Sequence, residues 1–358
     1  MRFPEFTEEW KAEQLDNIAT LSKGIGISKE QLSEDGEPCI LYGELYTKYK
    51  SEIIKQVESK TDINGSKLKR SKANDVIIPC SGETAVDIAT ARCVPFDNIL
   101  FGGDLNVISL HQYDGAFMSY QLNGKRKYDI ARVAQGVSIV HLYGEHLKAI
   151  KTYNPTLPEQ QKIAKLLSLL DDRIDTQNKI IEDLKKLKSA ISERLFKSVK
   201  GFTVLLSDLC DIVKGKQING ENLSDSGNYY VMNGGTEPSG YYDNYNVEAS
   251  TISISEGGNS CGYVQFNTSP FWSGGHCYSI QNIADKVDNM YLYHYLKSNE
   301  DAIMKLRIGS GLPNIQKKDL AMFKIIVPKI EWQIKISTFL SSLERKAEIE
   351  ERIQNVMQ

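Results

Sequence analysis

Two stretches of this chain are versions of one another, and they restrict the fold more than any other feature. NPTLPEQQKIAKLLSLLDDRID begins at Asn154 and VPKIEWQIKISTFLSSLERKAE at Val327. At an offset of 173, Pro155 meets Pro328, Gln160 meets Gln333, Lys162-Ile163 meets Lys335-Ile336, Leu167-Ser168 meets Leu340-Ser341 and Leu170 meets Leu343. That makes seven identities over the 21 positions from Pro155 to Asp175. A second match, at an offset of 191, lays the segment from Leu15 on the segment from Leu206. Lys23-Gly24 falls on Lys214-Gly215, Ile27 on Ile218, Glu30 on Glu221, Leu32-Ser33 on Leu223-Ser224, Gly36 on Gly227 and Gly43 on Gly234, giving 9 identities in 29 positions. Back at 173, Gly136 falls on Gly309, Leu147 on Leu320 and Lys151 on Lys324. Two copies at a period far above the roughly 20–50 residues of solenoid repeats make a duplicated domain.

Each copy has a matching front edge, a centre where the copies disagree, a matching back edge and then the helix. The centres read as β-rich, with short apolar or β-branched runs such as VIIPCSG (Val76–Gly82), NILFGGDLNVISL (Asn98–Leu110), STISISEGG (Ser250–Gly258) and HCYSI (His276–Ile280). Gly, Asn, Asp and Ser punctuate these runs. The first helix carries Ile163, Leu167, Leu170, Ile174, Gln177, Ile181, Leu184, Lys188, Ile191 and Leu195 at alternating spacings of four and three. That is a heptad seam with two polar interruptions, and at 1.5 Å per residue it makes a rod of about 60 Å. The second helix places Ile336, Leu340, Leu343 and Ala347 on its seam, then meets Glu350, with Ile349, Ile353 and Val356 on a shifted face. The natural partner of each helix is its duplicate. Carried to the length of helix one, helix two runs past Gln358, so the distal end of helix one is expected to lie partly unpaired.

The expected fold is therefore α+β, with two globular mixed α/β domains in tandem pseudo-repeat and two long helices forming an antiparallel coiled coil that separates them. The divisions are residues 1–153, 154–200, 201–327 and 328–358, the last a short second helix.

Bulk properties narrow the class. With 41% hydrophobic residues in 358, the chain can bury two cores. No apolar run approaches a membrane span, and the opening MRFPEFTEEWKAEQ is charged where a signal peptide needs an apolar stretch. Six scattered cysteines without close spacing suit reduced thiols in the cytoplasm. No catalytic or metal constellation is present. Asn154-Pro155 resembles the start of an amino-methyltransferase motif but continues Thr156-Leu157. His276-Cys277 with Cys261 lacks the paired spacing of a zinc site. The net charge of −3 argues mildly against nucleic acid, yet the charge is segregated. Lys67, Lys69, Arg70 and Lys72 make one basic knot and Lys125, Arg126 and Lys127 another, while many acids fall on the helices. Taken alone, either knot is an ordinary solvated loop.

Taken together, the entry MRFPEFTEEW, the front edges LDNIATLSKG and LSDLCDIVKG, the back edge GSGLPNIQKKDL and the two helix openings resemble the specificity subunit of type I restriction-modification systems. The likeness covers both ends of both repeats. In repeat one, QGVSIVHL from Gln135 lacks the Pro-Asn of 309–314, which weakens transfer of a loop role there. The resemblance implies that each domain is a target-recognition domain reading one half of a split DNA site. It also implies that the coiled coil sets the gap and docks the methyltransferase subunits, two of them, with restriction subunits joining through the complex. The chain itself is then non-catalytic. S-adenosylmethionine serves adenine methylation, with ATP and magnesium serving cleavage, and all three belong to the partner subunits. The alternative is a coiled-coil scaffold, or an orphan DNA-recognition protein serving another restriction or methylation enzyme.

On that reading Lys67, Lys69, Arg70, Lys72, Lys125 and Arg126 are phosphate contacts of the first domain. Base edges need directional groups on exposed loops. Ser81, Thr84 and Arg92 fit that need in the first domain, and Asn233, Ser255, Asn259 and His276 in the second, with Arg307 and Asn314 contacting backbone. Ile163, Leu167, Leu170, Ile174, Ile181, Leu184, Ile191, Ile336, Leu340 and Leu343 hold the spacer.

Overall fold

The computed structural model of the chain describes residues 2–309, 311 and 313–357. Ser310 and Leu312 of the GSGLPNIQKKDL edge, with the chain ends Met1 and Gln358, lie outside the described residues. The chain divides into two compact units, Met1–Asp175 and Thr176–Gln358.

In the first unit four strands build an antiparallel sheet. They are β1 (Ala19–Lys23), β2 (Asp75–Pro79), β3 (Arg92–Val94) and β4 (Leu105–Leu110), in the order β1-β4-β2-β3. The run in β2 is apolar at consecutive positions because both faces of the sheet are covered. Val76 and Ile78 enter one core with Ile18, Ile108, Met118 and Leu122, and Ile77 enters another with Ile40, Leu45, Phe101 and Val107. Side chains alternate between faces along a strand, so a strand between two cores has no polar phase. Helix α1 (Gly115–Asn123) covers the first face, capped by Asp114, whose carboxylate accepts from the Phe117 amide at 2.7 Å. The long helix α2 (Leu157–Ser198) follows, with Pro158 in its first turn, where a missing N–H leaves no bond unmade.

The second unit repeats the plan. Strands β5 (Asp211–Lys214), β6 (Thr251–Ser255), β7 (Val264–Asn267) and β8 (Cys277–Gln281) lie in the order β5-β8-β6-β7. The register agrees too. Ile108 stands between Leu21 and Val76, and Ile280 between Ile212 and Ile252. Here the strand does alternate. Ile252 and Ile254 enter the main core, while Ser253 on the other face accepts from Asn267 Nδ2 at 2.9 Å. Helix α3 (Asn289–Ser298) covers the apolar face, capped by Asp288 accepting from the Tyr291 amide at 2.8 Å. The last helix is α4 (Ile330–Met357). A short two-stranded pairing closes each unit at its edges, Lys11–Gln14 with Lys151–Asn154 and Phe202–Leu205 with Lys324–Val327.

One buried side chain joins each long helix to its sheet domain, and it is the glutamine the repeat preserves. Gln160 Oε1 accepts from the Asp114 amide at 2.9 Å while its Nε2 donates to the Pro155 carbonyl at 2.8 Å. Gln333 repeats both bonds, accepting from the Asp288 amide at 2.9 Å and donating to Pro328 at 2.8 Å, with a further bond to the Lys286 carbonyl at 3.0 Å. Both glutamines are buried. Each therefore ties the first turn of a long helix to the N-cap residue of the helix on the sheet. Nearby, Tyr120 donates to Asp171 at 2.5 Å and Tyr293 to Glu344 at 3.2 Å. Glu159 and Trp332 share a position but not an environment. Glu159 is buried under Arg2, at 2.8 Å, and Trp10, whereas Trp332 is exposed.

Within the second unit α2 and α4 run antiparallel, as the seam predicts. Lys188 Nζ meets Glu344 at 2.5 Å, Lys185 meets Glu351 at 2.5 Å, Gln177 Nε2 meets Glu350 Oε2 at 2.7 Å, and Gln354 donates to Asn178. The two polar interruptions of the seam, Gln177 and Lys188, thus each face an acid on α4, an arrangement that fixes register. Apolar packing concentrates at the other end, where Ile191, Leu195, Phe196, Ile336 and Leu340 join the core of the unit. Ile181 is buried, and Ile174, Leu184 and Leu343 are half-buried. Ile163 and Leu167 are half-buried in the first unit, but Leu170 is 49% exposed there. The shifted face of α4, with Ile349, Ile353 and Val356, is exposed because Glu350 and Gln354 face α2 instead.

Two measurements check this account. Gln333→Ala leaves the Asp288 amide and two carbonyls without partners, and is expected to lower unfolding free energy by about 1–3 kcal/mol in urea titration. Exposed Gln161→Ala is expected to change it by less than about 0.5 kcal/mol. His294 is buried on α3, its Nε2 2.9 Å from Ser341 Oγ on α4. Burial lowers its pKa to about 4, which Glu344 and Asp288 partly oppose and Lys188 reinforces. Its folded pKa lies below the ordinary 6.5, so the unfolded chain binds the proton first. Its contribution is present above about pH 6.5 and is lost as pH falls toward about 4. Urea midpoints of His294→Gln are expected to decline less over that window than those of the parent.

Candidate nucleic-acid interface

The end of each sheet where β5 or β1 stops carries a cluster of loops, and the second unit shows it most fully. Lys214 is the last residue of β5, Glu256 follows β6, and His276 precedes β8. The Glu256 carboxylate is buried and bracketed by Lys214 Nζ at 2.6 Å and the Tyr278 hydroxyl at 3.0 Å, with His276 Nδ1 3.8 Å away. Burial, then the bond to this carboxylate, raises the Tyr278 pKa. Backbone bonds lock the loops together. The Glu256 amide donates to the His276 carbonyl at 2.9 Å, Ile315 to Glu256 at 2.8 Å, and Gly258 to Pro313 at 3.0 Å. Asn233 Oδ1 accepts from the His276 amide at 3.1 Å.

The first unit builds the same frame from different residues. Cys80 stands where Glu256 does, its amide donating to Asp104 at 2.7 Å and its carbonyl accepting from Leu142 at 2.8 Å. Asn106 reaches the Leu142 carbonyl at 2.9 Å as Tyr278 reaches Ile315 at 3.0 Å. Lys23 ends β1 as Lys214 ends β5. Each lysine is followed by a glycine for a steric reason. A Cβ on Gly24 would lie 1.9 Å from the Gly102 carbonyl oxygen, and one on Gly215 would lie 2.2 Å from that of Gly274. The loops 135–141 and 308–314 also correspond. Gln135 and His141 exchange backbone bonds of 2.9 and 2.7 Å, Ile308 and Asn314 bonds of 2.8 and 3.0 Å. Gly136 and Gly309 follow with positive φ of 125° and 96°. The missing Pro-Asn therefore does not remove this loop from repeat one.

The residues singled out from the sequence divide. Asn233, Asn259, His276, Arg307 and Asn314 lie on the converging loops of the second unit, with Asn259, His276, Arg307 and Asn314 exposed. Ser255 belongs to the same cluster but is buried, its hydroxyl donating to the Gly234 carbonyl at 2.6 Å, so it braces the loop instead of presenting a polar tip. In the first unit Ser81 is half-buried, its Oγ 3.3 Å from His141 Nδ1 and its carbonyl accepting from Tyr46 at 2.9 Å. Thr84 is exposed and caps the helix Ala85–Ile88, accepting from the Asp87 amide at 3.1 Å.

Arg92 is the clearest correction. It sits inside β3, buried, donating to the carbonyls of Tyr49 at 2.7 Å and Ala91 at 2.9 Å, and cannot read a base from there. Lys67 and Lys72 are exposed and Lys69 is half-buried. The Arg70 charge is offset by a two-point pair with Glu37 at 2.6 and 2.9 Å, which holds the carboxyl below its ordinary pKa. Lys125 and Arg126 stand beside the start of α2, lining a groove of about 550 Å³ with Trp10, Phe117, Tyr153, Ile163 and Leu167. Arg126 pairs with Asp129 at 2.9 Å and covers the Tyr153 ring at 5.3 Å.

The sequence alone does not single out Lys23, His141, Tyr143, Lys214 or Glu256 as site residues. A signal for two of them is present, since Lys23-Gly24 and Lys214-Gly215 are identities of the front edge. All six cysteines are free and buried. Among the described residues no group of three or more His, Cys, Asp or Glu is placed to hold a metal ion, and no helix is long and apolar enough to cross a membrane.

Comparison with known proteins fits this doubled frame. The sequence model of the type I restriction modification DNA specificity domain matches residues 7–186 and again residues 201–358. The chain belongs to that family. A putative type I specificity subunit of Mycoplasma pneumoniae is 32% identical over 145 residues, 40% of this chain and 38% of the relative. One from Mycoplasma genitalium is 34% identical over 122 residues, 34% of this chain and 31% of the relative. The match thus spans only about a third of the length of either mycoplasmal relative. A type I restriction enzyme specificity subunit of Methanocaldococcus jannaschii is 24% identical over 96% of this chain and 88% of the relative. Among solved structures, the S subunit of a type I restriction-modification system from M. genitalium shares the fold, with a TM-score of 0.72 at 19% identity over 99% of this chain and 94% of that one. A chain from a study of complex assembly and conformational transition in the type I system gives 0.59 at 15% identity, over 98% and 94% of the two chains.

Proposed function

We propose that this chain is the DNA-recognition subunit of a type I restriction-modification complex, each unit reading one half of a bipartite duplex site. The observation that carries the reading is the pair of sheets with one strand order and one register, presenting unlike polar loops at corresponding ends. A frame kept twice with its tips changed suits two different short sequences. A spacer of fixed register suits a fixed gap between them, much as dimer geometry sets half-site spacing. The α2–α4 pair sets that gap and offers docking surface to methyltransferase subunits, two of them, with restriction subunits joining through the complex.

In this assembly the chain is the non-catalytic member and works in the cytoplasm, where duplex DNA is met. S-adenosylmethionine, ATP and magnesium act on the partner subunits. The methyltransferase modifies adenine at N6 on a base taken out of the stack, and an ATP-dependent endonuclease performs cleavage. Chemistry is thereby separated from recognition, and this chain supplies positioning and sequence choice.

The test is a map of methylated adenines in cells carrying this gene with and without its methyltransferase partner. A new motif of two short half-sites around a fixed unread gap is the expected result. Unchanged methylation with both proteins present and folded contradicts the proposal and favours a scaffold without a DNA role.

A further inference from the structure

At one corresponding position beside the first strand the two units differ in charge, Cys80 against Glu256. Lys23 and Lys214 occupy the same place, each at the end of the first sheet strand and each fixed by the glycine that follows. Lys214 faces the buried carboxylate of Glu256 at 2.6 Å. Lys23 has the neutral Cys80 at the corresponding position, and among the described residues it enters no ion pair. Its Nζ lies over the Tyr143 ring, 5.7 Å from the centroid, and that ring stacks on His141. His141 in turn reaches Ser81, and Lys23 and His141 are both exposed. Of the other basic residues of this unit, Arg70 and Arg126 are paired with Glu37 and Asp129, while Lys67, Lys69, Lys72 and Lys125 lie outside the loop cluster that Lys23 joins.

On the reading proposed above, we infer that Lys23 is a principal contact of the first unit to the phosphate backbone of duplex DNA, while Glu256 neutralises its counterpart Lys214 in the second. A phosphate approaching Lys23 meets a positive charge beside the aromatic platform of Tyr143 and His141. A phosphate approaching Lys214 meets a cation already paired, with a carboxylate beneath it that repels the newcomer. Backbone affinity is then unequal between the units. The first supplies more of the salt-dependent, sequence-independent binding, and the second relies more on its polar loop tips. Each neutralised phosphate steepens the fall of log affinity with log salt by about 0.9 in slope, so the asymmetry is measurable as a change in steepness.

The experiment titrates a mixed-sequence duplex library with the full chain, in complex with its methyltransferase partner, over a salt series. Lys23→Ala is expected to weaken binding uniformly across sequences and to lower the slope by about one, with Lys23→Arg restoring it. Lys214→Ala is expected to change the slope by much less, and Glu256→Gln to raise it by freeing Lys214. An unchanged slope in Lys23→Ala, while the parent binds salt-dependently, overturns the inference and leaves the proposed function standing. Absence of salt-dependent duplex binding by the parent overturns both. Should Glu256→Gln fail to fold, the two Lys23 variants decide the matter alone.

Discussion

A glutamine side chain in the first turn of each long helix holds this architecture to its plan. Gln160 and Gln333 each accept an amide proton from the N-cap residue of the sheet-covering helix and donate to a proline carbonyl at the start of their own helix. A side-chain amide offers two donors and an acceptor at once, so one residue satisfies backbone groups on both elements it joins. An apolar residue would fill the space yet leave those groups unpaired, at a cost of about 1–3 kcal/mol. The direction in which each long helix leaves its domain is set at this point. Any role of the helices as a spacer inherits its accuracy from that contact.

Upon this fixed frame the loop ends are free to differ, and the chemistry of the frame explains how. The backbone bonds that join the loops, Cys80 with Asp104 and Leu142 in one unit and Glu256 with His276 and Ile315 in the other, are indifferent to side-chain identity. Side chains can therefore change without moving the loops. Cys80 against Glu256 is the extreme instance, a neutral thiol exchanged for a carboxylate at one position of one fold. Burial pushes the Cys80 thiol up to about 11, against the downward pull of Lys23. The thiol therefore stays uncharged at neutral pH and does not offset the Lys23 charge as Glu256 offsets that of Lys214.

The duplication makes much of the fold legible in the sequence. Two offsets place the edges and the helices, and the polar residues Gln177 and Lys188, which look like flaws in an apolar seam, face Glu350 and Glu344. Side-chain burial inside the centres is less legible. Arg92 and Ser255 look like directional loop residues because polarity is visible in sequence, whereas the alternation of faces that buries them depends on register. The Gln135–His141 loop is hard to recognise for the opposite reason. Its backbone geometry survives through Gly136 while its side chains diverge from 308–314. Lys23 and Lys214 are visible as repeat identities, but the carboxylate that pairs with only one of them comes from the loop after β6, far along the chain.

The central claim is that each unit reads its half-site independently on a common frame, and exchange of one centre tests it most directly. The segment from Gly235 to Ile308 is replaced by the corresponding segment of another family member, and methylated adenines are mapped in cells holding the chimera and its methyltransferase. The account predicts that one half of the motif changes while the other half and the gap persist. A change in both halves, or a gap of new length with a folded chimera, would contradict it.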